Sequence, residues 1–344
     1  MNERILLSSW PADRLEAVPE CTLCGAPERD KLYDGLTDES FLTATGLWTL
    51  WRCRKCRSAW LDPRPDQTSI GFAYARYYTH GSPGHPEKTV SFTQKLGNGY
   101  RNFRYGAKMR SAIKLGALAA FAAPVLRGRI DNSFRYLLKV KEGQSARLLD
   151  VGCGSGDFLA MAANAGWTTF GTEPDEFSRD RARASGLDVR ATISEFAGEP
   201  RFDAITLSHV IEHVPDPVRT LRDCRERLKP GGFLYLATPN LESVGHQIYG
   251  RHWRGLETPR HLVLFNRNSL TDALAIAGFI RPKYRSSNDA LRFIVEQSRR
   301  MAAGFDPYDP AAPGIGRFPT PIEKVRAWLP GRNSEFLIVT ANRP

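Results

Sequence analysis

The stretch Arg147-Leu-Leu-Asp150-Val-Gly152-Cys-Gly154-Ser-Gly156-Asp-Phe158, continued through Gly166-Trp167-Thr-Thr-Phe-Gly171-Thr-Glu173-Pro174, decides how the chain is read. Arg147 to Val151 is a short apolar run, long enough for a buried strand. It ends in a turn whose glycines are 152, 154 and 156. Phe158 to Ala165 reads as a helix that Gly166 stops, and Trp167 to Gly171 as the next strand, with Glu173 at its end. Strand, glycine turn, helix, strand and acid together describe a βαβ unit built to hold a nucleotide.

Each residue type has a physical task. Glycine lets a ligand approach the backbone because no Cβ intervenes and positive φ is open to it. An acid at position 173 is placed to accept hydrogen bonds from both hydroxyls of a ribose. Dinucleotide sites space their glycines G-x-G-x-x-G, whereas here the order is Gly152-x-Gly154-x-Gly156 after Asp150. That pattern resembles motif I of the class I S-adenosylmethionine-dependent methyltransferases. The run from Phe202 to Asn240, with Leu228-Lys-Pro-Gly-Gly232 before an expected fifth strand, resembles the second half of the same domain.

The resemblance implies a doubly wound α/β sheet of seven strands, Rossmann-like, with the last strand antiparallel. It implies S-adenosylmethionine as cofactor, with Gly152 and Gly154 under its methionine part and Gly156 among the cofactor-binding residues. Asp150 would steady the loop or the amino group, and Glu173 would hold the ribose. Thr192 and Ile193, after the third strand, would flank the adenine. Ser208 would sit where the fourth strand opens into the cofactor mouth.

Four of the six cysteines form two C-x-x-C pairs, Cys21/Cys24 and Cys53/Cys56. That spacing lets four thiolates close a tetrahedral shell around one structural Zn2+, with no position left for chemistry. Independent or redox-active thiols are the other reading. Tyr33 and the run Phe41 to Trp51 supply a hairpin between the pairs. The expected division is a zinc-ribbon module over 1–65, a mainly helical basic segment over 66–143 and the cofactor domain over 144–344, with an insertion at 241–265.

The net charge of +11 is uneven: from Lys95 to Asp150, twelve Lys and Arg stand against three acids. A helix is expected from about Gly106 to Phe121, basic at its start and apolar later. Residues 107–127 then read either as a cap on the catalytic domain or as a peripheral contact with a membrane interface. The longest apolar stretch, Leu115 to Leu126, is too short to span a bilayer and carries Pro124. No secretory pattern opens the chain, and paired C-x-x-C motifs suit a reducing compartment, so a cytoplasmic setting is expected. Phe72, Tyr74, Tyr77 and Tyr78 read as packing residues.

His209-Val-Ile-Glu212-His213 matches an H-x-x-E-H zinc-protease string. That reading needs a helix carrying both histidines, and Pro215 and Pro217 cut one short. In the methyltransferase reading the loop crosses the cofactor mouth. His209, His213 and His261 are then candidate bases, with Glu212 as orienter. In the insertion, Trp253 offers a flat face for a sugar or aromatic acceptor. Arg251, Arg254 and Arg260 offer phosphate contacts.

The expected activity is methyl transfer to a small-molecule or glycan-type acceptor, such as a sugar or a nucleotide- or lipid-linked metabolite. RNA methylation is the alternative, with the ribbon and basic segment as clamp. A cofactor-binding regulator without transfer activity is the non-enzymatic one.

Overall fold

The computed structural model describes residues 10–74, 90–285, 290–309 and 333–344. Tyr77, Tyr78 and most of the Pro/Gly-rich run Pro307 to Pro321 lie outside the described residues.

The N-terminal part is a small antiparallel module. It contains β1 (Leu15–Glu16), β2 (Arg29–Leu36), β3 (Trp48–Cys53), β4 (Ala59–Leu61) and β5 (Arg64–Pro65). Three helices follow: α1 (Phe92–Tyr105), α2 (Gly116–Ala122) and α3 (Pro124–Ser133). The expected helix over 106–121 is therefore a correction. A capping box between Ser91 and Gln94 starts α1 earlier, and Gly106 ends it in the left-handed conformation. The chain then doubles back so that α2 crosses α1. A Cβ on Gly99 would sit 1.9 Å from the Ile113 carbonyl oxygen, and one on Gly116 would sit 2.1 Å from that of Leu96. Only two glycines allow the backbones this close.

The cofactor-type domain runs β6 (Ala146–Val151), α4 (Asp157–Asn164), β7 (Trp167–Thr172), α5 (Glu176–Ala184), β8 (Asp188–Arg190), β9 (Phe202–Ser208), α6 (Pro217–Arg227) and β10 (Leu228–Pro239). After α7 (Val244–Tyr249) and β11 (Val263–Leu264) come α8 (Arg267–Ile276), β12 (Ile280–Arg285), α9 (Leu291–Ala302) and β13 (Phe336–Asn342). Seven strands form one sheet in the order β12-β13-β10-β9-β6-β7-β8. β6, β7, β8, β9 and β10 are parallel, and β13 inserts antiparallel between β10 and β12. This is the seven-stranded, doubly wound fold that the motif I resemblance implies. The central strands read as near-continuous apolar runs because helices cover both faces, and Leu148, Leu149, Ile205, Leu207, Leu234 and Leu236 are fully buried.

The insertion does not stand apart from the N-terminal module. β11 pairs antiparallel with β4, Val263 opposite Trp60 and Leu264 opposite Ala59, and completes a four-stranded sheet β11-β4-β3-β2. Trp60, Cys21 and Cys53 share one apolar cluster with Leu149, Ile205 and Val263. The two parts of the sequence are thus packed as one body.

No helix among the described residues is long and apolar enough to cross a membrane. Phe92 and Phe103 on α1, and Leu115 and Leu118 at α2, are exposed.

The α1–α2 crossing gives a paired test. Gly99→Ala should lower unfolding free energy by about 1–3 kcal/mol through overpacking. Gly128→Ala, inside α3 with nothing within 4 Å of the added Cβ, should be neutral or stabilising by up to ~1 kcal/mol. Denaturant titration of both variants reads the difference.

Candidate active site

The strand order reverses between β6 and β9, and ligands of open α/β sheets bind at the carboxyl ends of the strands at such a point. The glycine turn leaves β6 there. Gly152, Gly154 and Gly156 have φ of 70°, 55° and 88°, a region that L side chains avoid. The Gly152 and Cys153 amides both donate to the Thr172 carbonyl, at 2.8 and 2.9 Å, and so tie the turn to the end of β7. A Cβ on Gly152 would fall 2.4 Å from Val210 Cγ2, and one on Gly156 would fall 2.3 Å from Leu187 Cδ1. The turn is therefore specified by packing as well as by φ.

Glu173 closes the unit. Its Oε2 accepts the Gly154 N–H at 2.8 Å and its Oε1 accepts the Asp175 N–H at 3.0 Å. Burial pushes its pKa up, and the two amides oppose that rise. Ile193 is half-buried beyond β8, and Thr192 is exposed with its side chain committed to capping the short turn that follows.

Asp150 is fully buried on β6. Its Oδ1 accepts from Thr206 Oγ1 at 2.8 Å and forms a short ion pair with Arg135 Nη1. Burial raises the Asp150 pKa, with the Arg135 charge acting against it. Arg135 lies with its guanidinium 3.7 Å from the Phe158 ring centroid. The sequence reading passed over this arginine. It sits in a turn after α3 with positive φ, among many other basic residues, and no local pattern marks it.

A cleft of about 420 Å3 opens beside this pair, lined among others by Arg135, Phe158, Ser208, His209, Tyr235 and Phe336. Of the three candidate bases, only His209 lines it. The His209 backbone is left-handed (φ 57°) and its amide donates to the Ala237 carbonyl at 2.9 Å. Its ring meets Phe336 edge-on at 4.4 Å, and its Nδ1 lies 3.4 Å from Glu212 Oε1. Glu212 is fully buried. Burial pushes its pKa up, but the His209, His213 and His261 imidazoles outweigh this and hold it below the usual range.

His213 and His261, the other two candidate bases, do not line this cleft. His213 Nδ1 donates to the Arg260 carbonyl at 3.0 Å, with Tyr74 Oη 2.9 Å from the same nitrogen. His261 is buried, donates Nδ1–H to the Gly255 carbonyl at 2.8 Å, and has its pKa pushed down to about 4 by burial.

Of the insertion residues expected to meet an acceptor, Trp253, Arg254 and Arg260 are buried and Arg251 is exposed. Trp253 is 0% exposed and donates its indole N–H to Glu335 Oε2 at 2.9 Å. Arg260, also 0% exposed, is paired with Asp38 and donates to the Ala73 carbonyl at 2.7 Å. Arg254 pairs with Glu257 and donates to Tyr308 Oη at 3.0 Å. Arg251 donates to the carbonyls of Asp34 and Gly35 at 3.2 and 2.9 Å. Trp253, Arg254 and Arg260 are enclosed because the insertion packs on the N-terminal module and on neighbouring helices, whereas Arg251 stays exposed.

The four cysteines of the paired motifs are free thiols drawn into one cluster, their sulfurs all within 4.8 Å of one another. Cys21 to Cys56 and Cys24 to Cys53 are 3.6 Å apart. Tetrahedral coordination with metal–sulfur bonds of about 2.3 Å sets sulfurs about 3.8 Å apart, so the set fits a zinc ion.

Residues 125–280 match the family model described as a methyltransferase domain. A ubiquinone biosynthesis O-methyltransferase from Xanthomonas axonopodis pv. citri (strain 306) is 31% identical over 174 residues, 44% of this chain and 73% of that protein. One from Actinobacillus pleuropneumoniae serotype 5b (strain L20) is 38% identical over 107 residues, 27% of this chain and 46% of that protein. For most such relatives the chain spans about half of their length. Among solved structures, a Haemonchus contortus phosphoethanolamine N-methyltransferase 2 in complex with S-adenosyl-L-methionine aligns with a TM-score of 0.44 at 15% identity, covering 87% of this chain and 63% of that one. With this sheet order and glycine turn, the chain belongs to the class I S-adenosylmethionine-dependent methyltransferases.

Gly154→Arg should abolish S-adenosylmethionine binding in calorimetry while circular dichroism stays that of the parent. Retained binding would refute the assigned pocket.

Proposed function

We propose that the protein transfers a methyl group from S-adenosylmethionine to an oxygen of a small-molecule acceptor, with His209 as general base. The observation that carries this reading is the placement of His209: a half-exposed imidazole at the cleft, aimed by a strained backbone and backed by Glu212 Oε1 at 3.4 Å. S-adenosylmethionine, when bound, supplies a methyl group already activated by the sulfonium charge. Glu173 accepts hydrogen bonds from the ribose hydroxyls, and the Gly152–Gly156 turn gives the methionine part room against the backbone. Asp150 and Arg135 hold the end of β6 and the turn after α3 together. His209 takes the acceptor hydroxyl proton, and Glu212 steadies the imidazolium that results.

The names of the O-methyltransferase relatives support an oxygen acceptor. Residues 90–130 carry eight Lys and Arg and no Asp or Glu. Together with exposed Phe92, Phe103, Leu115 and Leu118, this supports an acceptor that is anionic or dissolved at a lipid surface. A structural zinc ion held by Cys21, Cys24, Cys53 and Cys56 belongs to the same reading, with its role in folding. We place the protein in the cytoplasm, at or near the membrane.

The deciding experiment incubates purified protein with methyl-labelled S-adenosylmethionine and a cell extract split into polar, lipid and RNA fractions. Label in the polar or lipid fraction is expected, and label in RNA alone would overturn the small-molecule reading. His209→Asn should then lower kcat about 100- to 10,000-fold with cofactor affinity nearly unchanged. Cys24→Ser should lose bound zinc and unfold at lower temperature; unchanged metal content would refute the ribbon site.

A further inference from the structure

Glu212 stands apart electrostatically from the other buried charges around it. Arg254 pairs with Glu257, and Arg260 pairs with Asp38 and lies 3.3 Å from Glu257. Those two cations and two anions cancel. Glu212 has no place in that set. Its Oε2 accepts from Thr238 Oγ1 at 3.0 Å, while its buried Oε1 faces His209 Nδ1 at 3.4 Å without a well-formed hydrogen bond. A buried carboxylate in that state is costly unless a cation meets it.

Two imidazoles lie against it. His213 gives its Nδ1–H to the Arg260 carbonyl and His261 gives its own to the Gly255 carbonyl. A carbonyl only accepts, so a neutral ring that gives it Nδ1–H carries its lone pair on Nε2; Tyr74 Oη, 2.9 Å from His213 Nδ1, is then a second acceptor of that proton. The ring centroids are 4.7 Å apart with planes at 69°. One ligand atom from each of Glu212, His213 and His261 lies within 4.8 Å of the other two. Imidazoles anchored through Nδ1 on backbone carbonyls, converging with a carboxylate, are the arrangement that prepares ligands for a metal. Glu257 Oε2, 3.7 Å from His261 Nε2, adds a second carboxylate at the edge of the group.

We propose that Glu212, His213 and His261 hold a divalent first-row transition-metal ion such as Zn2+, at a site separate from the four cysteines. Two nitrogens and one carboxylate oxygen suit such an ion better than Mg2+ or Ca2+. The ion joins two parts of the chain distant in sequence, the loop after β9 and the insertion before β11. It also fixes the carboxylate that faces His209, which makes the three ligands positioning residues rather than catalytic ones. The proposal does not depend on what the acceptor is.

The test is metal content per chain, by elemental mass spectrometry, on full-length protein dialysed against Zn2+ and then freed of excess. His261→Asn and Glu212→Gln should each lose one equivalent that Cys24→Ser retains, and Cys24→Ser should lose a different one. Glu212→Gln preserves shape, so it reports even where His261→Asn fails to fold. Cobalt provides a second readout. Co2+ at the cysteines gives intense thiolate charge-transfer absorption. A further equivalent should add weak ligand-field bands alone, and these should vanish in both variants. If the equivalent that Cys24→Ser retains is also retained by both His261→Asn and Glu212→Gln, or if all of the wild-type metal is lost in Cys24→Ser, the proposal is overturned and the charge opposite Glu212 is assigned to a protonated histidine.

Discussion

The backbone carbonyl of Glu212 is the point on which the site depends. It accepts the amides of both Leu262 and Val263, at 2.8 and 3.2 Å. Val263 opens β11, which pairs with β4 of the N-terminal module, and Leu61 of β4 donates to the Leu262 carbonyl at 3.1 Å. A single line of hydrogen bonds thus runs from the cysteine module through the insertion to the loop that carries His209. Buried backbone groups must be paired, and here the pairing joins segments about 50 residues apart (Glu212 to Leu262) and about 200 apart (Leu61 to Leu262) in the chain. The module is a wall of the catalytic loop rather than an attachment to it.

Charge burial explains why so many arginines are needed around this wall. Asp38, Asp150 and Glu257 are all buried, and each is met by an arginine: Arg260, Arg135 and Arg254 respectively. Breaking one partner of such a pair leaves an uncompensated charge, which is far more destabilising than the pair is stabilising. The pairs therefore fix geometry more than they add stability. Arg135 and Asp150 join the turn after α3 to the end of β6, where the glycine turn begins. Arg260 and Asp38 join the insertion to the N-terminal module, which is why an arginine that reads as a phosphate ligand in the sequence is fully enclosed.

The left-handed conformation of His209 follows from the same constraint. Its amide is held by Ala237 of β10, while three residues on, Glu212 is held by β11. The chain between them has to turn sharply, and a histidine occupies a conformation that costs it energy. Strain of this kind persists only where the surroundings over-determine it, and here both ends of the turn are fixed by strands.

Local spacing by itself determined the cofactor unit. Gly152, Gly154, Gly156 and Glu173 lie within one strand-turn-helix-strand segment, where 3.6- and 2-residue periods and glycine φ act over short distances. The strand order and the antiparallel last strand followed from resemblance to a known domain, and the two C-x-x-C motifs prefigured the sulfur cluster because thiolate spacing is likewise local. Tertiary structure alone decided the rest. The helix expected at 106–121 broke because two glycines let α1 and α2 cross, a contact that no single helix period reveals. Trp253 and Arg260 turned inward onto partners far away in the sequence, Glu335 and Asp38, while His213 and His261 turned to carbonyls of the insertion and Arg135 entered the cleft to meet Asp150. A side chain's chemistry is written in its identity, but its exposure, and with it its function, is set by what packs against it.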